Sequence, residues 1–292
     1  MAILLFGKSG QLGWELRRTL ATLGPVVAYD YPEVDFARVD DLREKAALLH
    51  PQVIINAVAY TAVDRAESQP ELTHLVNAAA PGALANLAQE MLIPFIQYST
   101  DYVFDGEKGS PYVESDVPNP LNVYGQSKLE GEEAVRQAGG AYLILRTSWV
   151  YSLRQGGFVT KVLQWSRSQS VLRMVTDQVG SPTSARLLAE ATAQLLAKGG
   201  KNLYGWVAER KGLYHLAGDG AASRYEWAQE IIKHDVHPEE RILQELQPAL
   251  TAEFPSPARR PLFSALDCRK FTDTFGLHLP DWRDGLALAM DV

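Results

Sequence analysis

Tyr124 and Lys128 stand four positions apart in a stretch, 124–137, whose residue pattern predicts a helix. Side chains at positions i and i+4 of a helix lie on the same face. A phenol, with a pKa of about 10, transfers protons poorly at neutral pH, but a neighbouring ammonium stabilises the phenolate and lowers that pKa. The pair therefore predicts a catalytic acid or base, Tyr124, assisted by Lys128, whose ammonium could also bind the ribose of a nicotinamide cofactor.

Hydroxyl groups end a predicted strand, 94–100, upstream of this helix. Ligands of parallel sheets bind at the carboxyl ends of the strands. A hydroxyl fixed there can donate a hydrogen bond to a carbonyl oxygen on which negative charge develops during reduction. Thr100 is the first choice for this catalytic role, and Ser99 is the alternative.

A glycine-rich loop with the spacing GxxGxxG lies between the first predicted strand, 3–6, and a predicted helix, 12–23. Glycine permits the tight turn and lets the backbone approach a pyrophosphate, and the free N–H groups of the following helix attract its negative charge. The strand–loop–helix order therefore predicts a dinucleotide-binding site. The loop residues expected to bind the cofactor are Gly7, Gly10, Gln11, Leu12 and Gly13.

An acidic residue, Asp30, ends the second predicted strand. A carboxylate at this place accepts hydrogen bonds from the adenine ribose and repels a 2′-phosphate, which favours NADH over NADPH. Lys8 and Arg17 could offset that charge, so NADPH and NADH both stay open as cofactors. The residues expected beside the adenine are Asp35 and Phe36.

The elements that must position these residues alternate along the first half of the chain. Predicted strands lie at 3–6, 25–30, 53–57, 94–100 and 142–146. The predicted helices between them lie at 12–23, 42–49, 77–90 and 124–137. Such alternation is typical of a doubly wound α/β fold of the Rossmann type, in which helices cover both faces of a parallel sheet.

The alternation weakens after residue 148, where glycine, proline and polar residues become frequent. We therefore expect a dinucleotide-binding Rossmann domain over 1–148 and a smaller C-terminal substrate-binding lobe over 149–292. Part of about 175–200 could return to the first domain.

Composition excludes several other classes of protein. The chain of 292 residues has a formal net charge of −7, and no run of lysine and arginine suggests a nucleic-acid surface. Its one cysteine and six histidines form no cluster with metal-ligand spacing. No stretch of about 18 uninterrupted apolar residues predicts a membrane span, and the N-terminus does not resemble a signal peptide. We therefore expect a cytoplasmic enzyme with no metal site and neither a nucleic-acid nor a membrane partner.

The motifs together resemble those of one enzyme family. The glycine loop, Thr100, Tyr124 and Lys128 are similar to those of the extended short-chain dehydrogenase/reductases, and the closer resemblance is to the dTDP-4-dehydrorhamnose reductase family. It covers nearly the whole chain and is carried by residues 4–13, 56–64, 99–104, 122–125, 146–151 and 257–261. The resemblance implies reduction, by NADPH or NADH, of the 4-keto group of dTDP-4-dehydro-L-rhamnose to give dTDP-L-rhamnose, with Tyr124 as the proton donor.

The same resemblance implies which residues meet each ligand. Those expected to contact the nucleotide-sugar substrate are Thr100, Asp101, Phe104, Trp149, Arg259 and Arg260, of which the two arginines would meet the diphosphate. Those expected to flank the cofactor, besides the glycine loop, are Ala57, Ala59, Tyr60, Thr61, Tyr98, Tyr124 and Lys128.

Related sugar-nucleotide dehydratases carry a Thr-Asp-Glu sequence, whereas Tyr102 occupies the third position here. Elimination of water therefore lacks its proton-transfer group, and simple keto reduction is favoured. Two alternatives stay open: a reductase of another nucleotide 4-keto-6-deoxy sugar, and a non-catalytic, NADP-binding regulatory subunit of the same fold. The intact set of Thr100, Tyr124 and Lys128 argues against a regulatory subunit.

Some members of the family form dimers bridged by magnesium through glutamates. Glu15 is present here, but Arg186 stands where we align a second glutamate, and Asp291 is the acidic residue at the C-terminus. A cation in place of a carboxylate opposes metal binding, so we do not expect a magnesium-bridged dimer. A monomer and a homodimer both stay open.

Overall fold

The computed structural model describes residues 2–154 and 156–291. The strands, in chain order, are β1 (Ile3–Phe6), β2 (Val26–Tyr29), β3 (Val53–Asn56), β4 (Phe95–Thr100), β5 (Tyr142–Thr147), β6 (Val150–Tyr151), β7 (Val171–Val175), β8 (Val179–Gly180), β9 (Thr183–Ser184), β10 (Gly212–His215), β11 (Ala222–Ser223) and β12 (Glu245–Ala249).

The α-helices, in chain order, are α1 (Gln11–Thr19), α2 (Val39–Leu49), α3 (Val63–Ala66), α4 (Pro70–His74), α5 (Ala80–Glu90), α6 (Val123–Ala138), α7 (Phe158–Ser166), α8 (Ala185–Gly199), α9 (Leu203–Glu209), α10 (Arg224–Lys233), α11 (Arg269–Phe275) and α12 (Trp282–Met290). A π-helical segment, Leu75–Ala79, joins α4 to α5. In the described part of the chain, no helix combines the length and the apolar character needed to cross a membrane.

Six strands form one parallel sheet in the order β10–β5–β4–β3–β1–β2. Side chains of β1 alternate between its two faces. Ile3 and Leu5 pack in an apolar cluster with residues of α1 and α8, whereas Leu4 and Phe6 pack in a second cluster with residues of α2 and α5. Because helices cover both faces, the strands are apolar along their length. This arrangement confirms the predicted Rossmann-type α/β fold.

Residues from beyond position 148 contribute to the sheet and its layers. Strand β10, which no sequence pattern predicts, pairs with β5 at one edge of the sheet and places His215 beside Arg146. Helix α8 supplies Leu188 and Leu195 to the apolar cluster that contains Leu5. A separate cluster around residues such as Trp227 and Trp282 forms the core of the remaining C-terminal part. The domain boundary at residue 148 stays a prediction.

Helix α6, which carries the predicted catalytic pair, is fixed closely against its neighbours. Its first turn is capped by Asn122, whose side chain accepts a hydrogen bond of 2.8 Å from the backbone N–H of Gly125. A methyl group on Gly125 would lie 2.2 Å from the carbonyl oxygen of Tyr102, and one on Gly131 would lie 2.1 Å from that of Asn77. Glycine at both positions lets α6 lie directly on the backbone of neighbouring segments.

Candidate active site

A cavity of about 440 Å³ lies at the carboxyl ends of the central strands, where the fold predicts a ligand site. It is lined by residues from the glycine loop, from the ends of β3 and β4, from α6 and from the segment after β5. The structure thus brings together twelve of the residues that the sequence assigns to ligands: Gly10, Gln11, Leu12, Ala57, Ala59, Thr61, Tyr98, Thr100, Asp101, Tyr124, Lys128 and Trp149.

Tyr124 lies in this cavity with 9% of its surface exposed. Burial raises the pKa of its phenol above the ordinary value, while a hydrogen bond with the Thr100 side chain acts in the opposite direction. The sequence predicts that Lys128 lowers this pKa, but desolvation of the phenolate outweighs the Thr100 hydrogen bond, and the pKa is raised instead. Tyr124 therefore holds its proton at neutral pH.

The ammonium of Lys128 is anchored on β4. Its Nζ donates a hydrogen bond of 2.7 Å to the carbonyl oxygen of Tyr98. Burial lowers the pKa of Lys128 to about 8, and the negative charge of Glu132 acts against this lowering. At neutral pH the side chain is therefore mainly a cation held at the edge of the cavity.

Thr100 and Asp101 connect the end of β4 to two other segments. The Thr100 hydroxyl donates to Oδ1 of Asp101 at 3.1 Å and accepts from the N–H of Tyr102 at 3.2 Å. The hydroxyls of Ser148 and Ser264 donate to Oδ2 of Asp101 at 2.9 and 2.6 Å. Burial raises the pKa of Asp101, and these hydroxyls oppose that effect. The Asp101 carboxyl group thus joins β4 to the segments that contain Ser148 and Ser264.

The glycine loop has the geometry that a dinucleotide requires. Gly7 adopts a φ of 96°, and a methyl group on Gly13 would lie 1.8 Å from the carbonyl oxygen of Gly7. Helix α1 begins at Gln11 with no side-chain cap and no acidic residue in its first turn. Its N-terminal N–H groups and the positive end of its dipole therefore face the cavity. Because no side-chain carboxylate neutralises them, they can bind a pyrophosphate.

Asp30 lies at the end of β2, beside the glycine loop, and not among the residues lining the cavity. Its Oδ2 accepts a hydrogen bond of 2.9 Å from the N–H of Ser9, and its Oδ1 accepts one of 2.9 Å from the N–H of Tyr31. The Lys8 ammonium forms an ion pair of 2.5 Å with Glu33. Two carboxylates and one ammonium thus surround the place where the adenine ribose is expected. The carboxylates favour NADH and the ammonium favours NADPH, so these charges do not decide between the two cofactors.

Two aromatic residues assigned to ligands lie in the core instead. Phe36 packs edge-on against Phe6, with ring centroids 5.8 Å apart. Phe104 has an exposed fraction of 0% and stacks on Tyr112 with ring centroids 4.0 Å apart. The Phe104 ring does not reach the cavity, so the structure corrects its assignment to the substrate, whereas the contact of Phe36 with the adenine stays a prediction.

Three other assigned residues stand outside the cavity lining. The Tyr60 hydroxyl donates a hydrogen bond to Gln69 at 2.6 Å, and the Asp35 carboxylate accepts one from the N–H of Ala37 at 3.0 Å. Arg259 is exposed. Their contacts with the ligands stay predictions.

Arg260 lies nearer to the cavity than Arg259. Its Nη2 is 2.7 Å from Oδ2 of Asp64, and its side chain also hydrogen-bonds Tyr102, a residue of the cavity lining. The guanidinium is therefore already neutralised by a carboxylate in this structure. It could meet a diphosphate only at the border of the cavity.

Arg224, at the start of α10, is a cavity residue that the sequence analysis misses. Its guanidinium lies over the ring of Trp149, 3.6 Å from the ring centroid, and hydrogen-bonds Tyr102. Burial lowers the pKa of Arg224 to about 10, so it is still a cation at neutral pH. The same side chain lines a neighbouring apolar cavity of about 710 Å³ that includes Phe158 and Trp165.

The surroundings of Glu15 differ from the expectation drawn from Arg186. A third cavity, of about 740 Å³, contains Glu15 and Arg186, but also Glu190 and Asp291. Burial raises the pKa of Glu15, Arg186 lowers it, and Glu190 raises it. A second carboxylate is therefore present, one helical turn after Arg186. Among the described residues, the group of three or more His, Cys, Asp or Glu side chains close enough to hold one metal ion lies elsewhere, at His237, Glu239 and Glu240, and all three are exposed.

Comparison with known proteins agrees with this geometry. The protein-family model described as "RmlD substrate binding domain" matches residues 1–292. The dTDP-4-dehydrorhamnose reductase of Escherichia coli (strain K12) is 41% identical over 298 residues, covering 98% of this chain and 96% of that protein.

Solved structures give the same result. A dTDP-4-dehydrorhamnose reductase from Clostridium acetobutylicum superposes with a TM-score of 0.91 at 34% identity, covering 100% of this chain and 99% of that one. The dTDP-4-dehydrorhamnose reductase from Bacillus anthracis, solved in complex with NADP, superposes with a TM-score of 0.88 at 29% identity, covering 98% and 96% of the two chains. The chain therefore belongs to the dTDP-4-dehydrorhamnose reductase family and is an oxidoreductase.

Proposed function

We propose that this protein reduces the 4-keto group of dTDP-4-dehydro-L-rhamnose to give dTDP-L-rhamnose, with NADPH or NADH as the reductant. The observation that carries the proposal is the Tyr124 phenol, which lies in the cavity in hydrogen-bonding contact with Thr100. Because burial raises the pKa of Tyr124, the phenol keeps its proton until a stronger base forms beside it. Reduction of a ketone requires such an acid.

Reduction adds a hydride to the carbonyl carbon and a proton to the oxygen. A nicotinamide cofactor whose pyrophosphate is held by the glycine loop would supply the hydride. Tyr124 donates its proton to the oxygen on carbon 4 of the sugar, and the Thr100 hydroxyl turns from Asp101 to hold the same oxygen. The Lys128 ammonium then stabilises the phenolate that Tyr124 leaves behind.

Arg224 is the side chain we assign to the nucleotide diphosphate. It lines both the catalytic cavity and the neighbouring apolar cavity. A sugar in the first cavity and a base in the second would place the diphosphate between them, beside this guanidinium. Trp149, stacked under Arg224, would then border the sugar.

The direct test is to follow the absorbance of NADPH and of NADH with dTDP-4-dehydro-L-rhamnose as substrate, and to identify dTDP-L-rhamnose by mass spectrometry. Oxidation of the cofactor with one product molecule per cofactor is the expected result. Other nucleotide 4-keto-6-deoxy sugars are assayed in parallel, and a higher kcat/KM with one of them would replace the assigned substrate. A lack of oxidation with every substrate would indicate a non-catalytic, cofactor-binding subunit.

For the assembly, we propose a monomer or a homodimer that works in the cytoplasm without a bridging metal. The arginines beside Glu15, which include Arg186 and Arg18, support this because they already supply positive charge to that carboxylate. Light scattering coupled to size-exclusion chromatography, with and without EDTA, gives the mass. A dimer that dissociates in EDTA and re-forms with magnesium would overturn this part of the proposal.

A further inference from the structure

Glu132 is a buried carboxylate to which the proposed reaction gives no role. It lies on α6 four residues after Lys128 and eight after Tyr124, so the three side chains share one face of the helix. Its exposed fraction is 0%. A carboxylate taken out of water raises the free energy of the folded state unless it is paired and hydrogen-bonded.

Two strands hold this carboxylate. Arg146 of β5 donates from Nε to Oε1 at 2.8 Å and from Nη2 to Oε2 at 2.7 Å. Ser99 of β4 donates its hydroxyl hydrogen bond to Oε1 at 2.6 Å. Both oxygens are bonded, and the bidentate geometry leaves the carboxylate little freedom to rotate. Glu132 therefore fastens α6 to β4 and β5 at one point.

On β4, Ser99 lies between the residues that contact the catalytic pair, whereas Glu132 lies one turn beyond Lys128 on α6. Three consecutive residues of β4 touch three residues spaced one turn apart on α6. The pairs are Tyr98 with Lys128, Ser99 with Glu132, and Thr100 with Tyr124. A shift of α6 along β4 would break all three contacts together, so the Glu132 contact sets the register of the catalytic pair.

Glu132 also acts on Lys128 through its charge. Lys128 is 3% exposed, and burial lowers its pKa to about 8, against which the Glu132 charge acts. His215 of β10 lies next to Arg146 of β5. It is neutral because burial and the Arg146 charge lower its pKa to about 3. The other ionisable groups around this part of α6 are Tyr98, Asp101, Tyr124, Arg136 and Arg146. Among the described residues, the charge that raises the pKa of Lys128 is that of Glu132.

We propose that Glu132 is a positioning residue for the reduction: through Arg146 and Ser99 it fixes α6 on β4 and β5, and its negative charge keeps the Lys128 ammonium protonated beside the cavity. The inference rests on the proposed reduction, so turnover by the wild-type protein is measured first. No turnover by the wild type would contradict the proposed reduction itself.

The test uses Glu132→Gln, which keeps the size of the side chain and an oxygen for Ser99 but removes the charge. We expect the alkaline limb of the kcat/KM profile to move to lower pH by about one unit, because Lys128 then loses its proton more easily. The kcat/KM of Glu132→Gln should therefore fall further below that of the wild type as the pH rises from 7 to 9. A merely structural role would lower kcat/KM equally across this range.

A second measurement does not depend on activity. Competitive acetylation, read by peptide mass spectrometry, reports the fraction of Lys128 that is neutral at each pH. In Glu132→Gln the acetylation of Lys128 should rise at lower pH than in the wild type. Unshifted acetylation together with an unshifted alkaline limb, in a variant that turns over, would overturn the role of Glu132.

Two further variants separate charge from folding. Glu132→Gln leaves Arg146 unpaired and could for this reason fail to fold. The double variant Glu132→Gln with Arg146→Gln leaves no unpaired charge, and its alkaline limb of kcat/KM should show the same shift to lower pH. Asp235→Asn is the matched control, since Asp235 is buried and pairs with Arg167 at 2.8 Å in another part of the chain. It should lower Tm and leave both pH profiles in place. A shift in Asp235→Asn equal to that in Glu132→Gln would also overturn the proposal.

Discussion

The Lys128 ammonium donates a hydrogen bond of 2.7 Å to the main-chain carbonyl oxygen of Tyr98. Tyr98 lies on β4 two residues before Thr100, whose side chain contacts the Tyr124 phenol. The cation and the acid are therefore held by one strand at neighbouring points. In the proposed reaction, Tyr124 stays protonated before hydride transfer, and the Lys128 ammonium stabilises the phenolate that then forms.

Replacing Tyr124 by Phe should lower kcat by about 10²–10⁴-fold, the usual contribution of a general acid. The Kd of NADPH, measured by fluorescence titration, should change little because the ring is retained. Tyr214→Phe is the control, since the Tyr214 hydroxyl bonds the Arg210 carbonyl at 2.7 Å and lies outside the cavity lining. Full activity in Tyr124→Phe would refute the proton-donor role.

Replacing Thr100 by Val keeps the shape of the side chain but removes the hydroxyl that contacts Tyr124 and Asp101. We expect kcat to fall by about 10²-fold, the lower end of what one fixed donor contributes. Thr100→Ser, which restores the hydroxyl, should recover most of the activity in the same assay. Equal activity in the Val and Ser variants would show that the hydroxyl takes no part.

Replacing Arg224 by Met should raise the KM for the nucleotide sugar by about 10–100-fold, as expected for a lost hydrogen-bonded charge contact. The effect on the Kd of NADPH should be small. Arg283→Met, on the exposed surface of α12, is the control. If Arg260→Met raises KM more than Arg224→Met does, the diphosphate contact belongs to the loop at Arg260 instead.

Replacing Glu33 by Gln should change the choice of cofactor. Glu33 pairs with Lys8 at 2.5 Å, and this hydrogen bond lowers the pKa of the carboxyl, so the group is anionic at neutral pH. Without that charge, Lys8 is released and repulsion of a 2′-phosphate falls. The ratio of kcat/KM for NADPH to that for NADH should rise severalfold, whereas an unchanged ratio would show that this pair lies outside the ribose site.

Stability should fall as the solution is acidified, partly because of His215. Burial and the Arg146 charge lower the pKa of folded His215 to about 3, whereas the unfolded value is about 6.5. Between these two pKa values the unfolded chain binds a proton that the folded chain does not. Stability that is present above pH 6.5 is therefore lost as the pH falls from about 6.5 towards 3. The slope contributed is at most about 1.4 kcal/mol per pH unit.

Urea unfolding between pH 7 and pH 4 measures this slope. His215→Gln should show a flatter dependence on pH, even if it is less stable at pH 7. His74→Gln, at an exposed position on α4, should keep the wild-type slope. A wild-type slope in His215→Gln would contradict the assignment.

Local patterns were enough to predict the fold and many of the residues that line the cavity. Strands such as Val53–Asn56 are apolar on both faces, and the glycine loop needs its strand and helix on either side, so these elements can be read from short segments. β10 escapes such reading because Gly212–His215 is short and contains no aliphatic run. Only its pairing with β5, far away in sequence, makes it a strand.

Contacts across the chain explain the other differences at the site. Phe104 follows a motif that lines the cavity, but the turn after β4 directs its ring into the core against Tyr112. Arg224 belongs to no recognisable motif and reaches the cavity because α10 begins there. The Glu132–Arg146 pair joins α6 to β5, and the spacing of the two residues in the sequence does not show that they meet. Sequence spacing cannot supply such information, because it depends on how distant elements pack.

The three-residue pairing between β4 and α6 also limits how such an enzyme can change over generations. A one-residue insertion in β4 before Ser99 would move the Ser99 and Thr100 side chains each to the other face of the sheet, and one in the first turns of α6 would rotate Glu132 away from Arg146. The two segments must therefore be inherited as a unit of constant length. Sequence changes that alter the choice of substrate are therefore expected in segments outside this pairing, such as the start of α10 and the loop around Arg260.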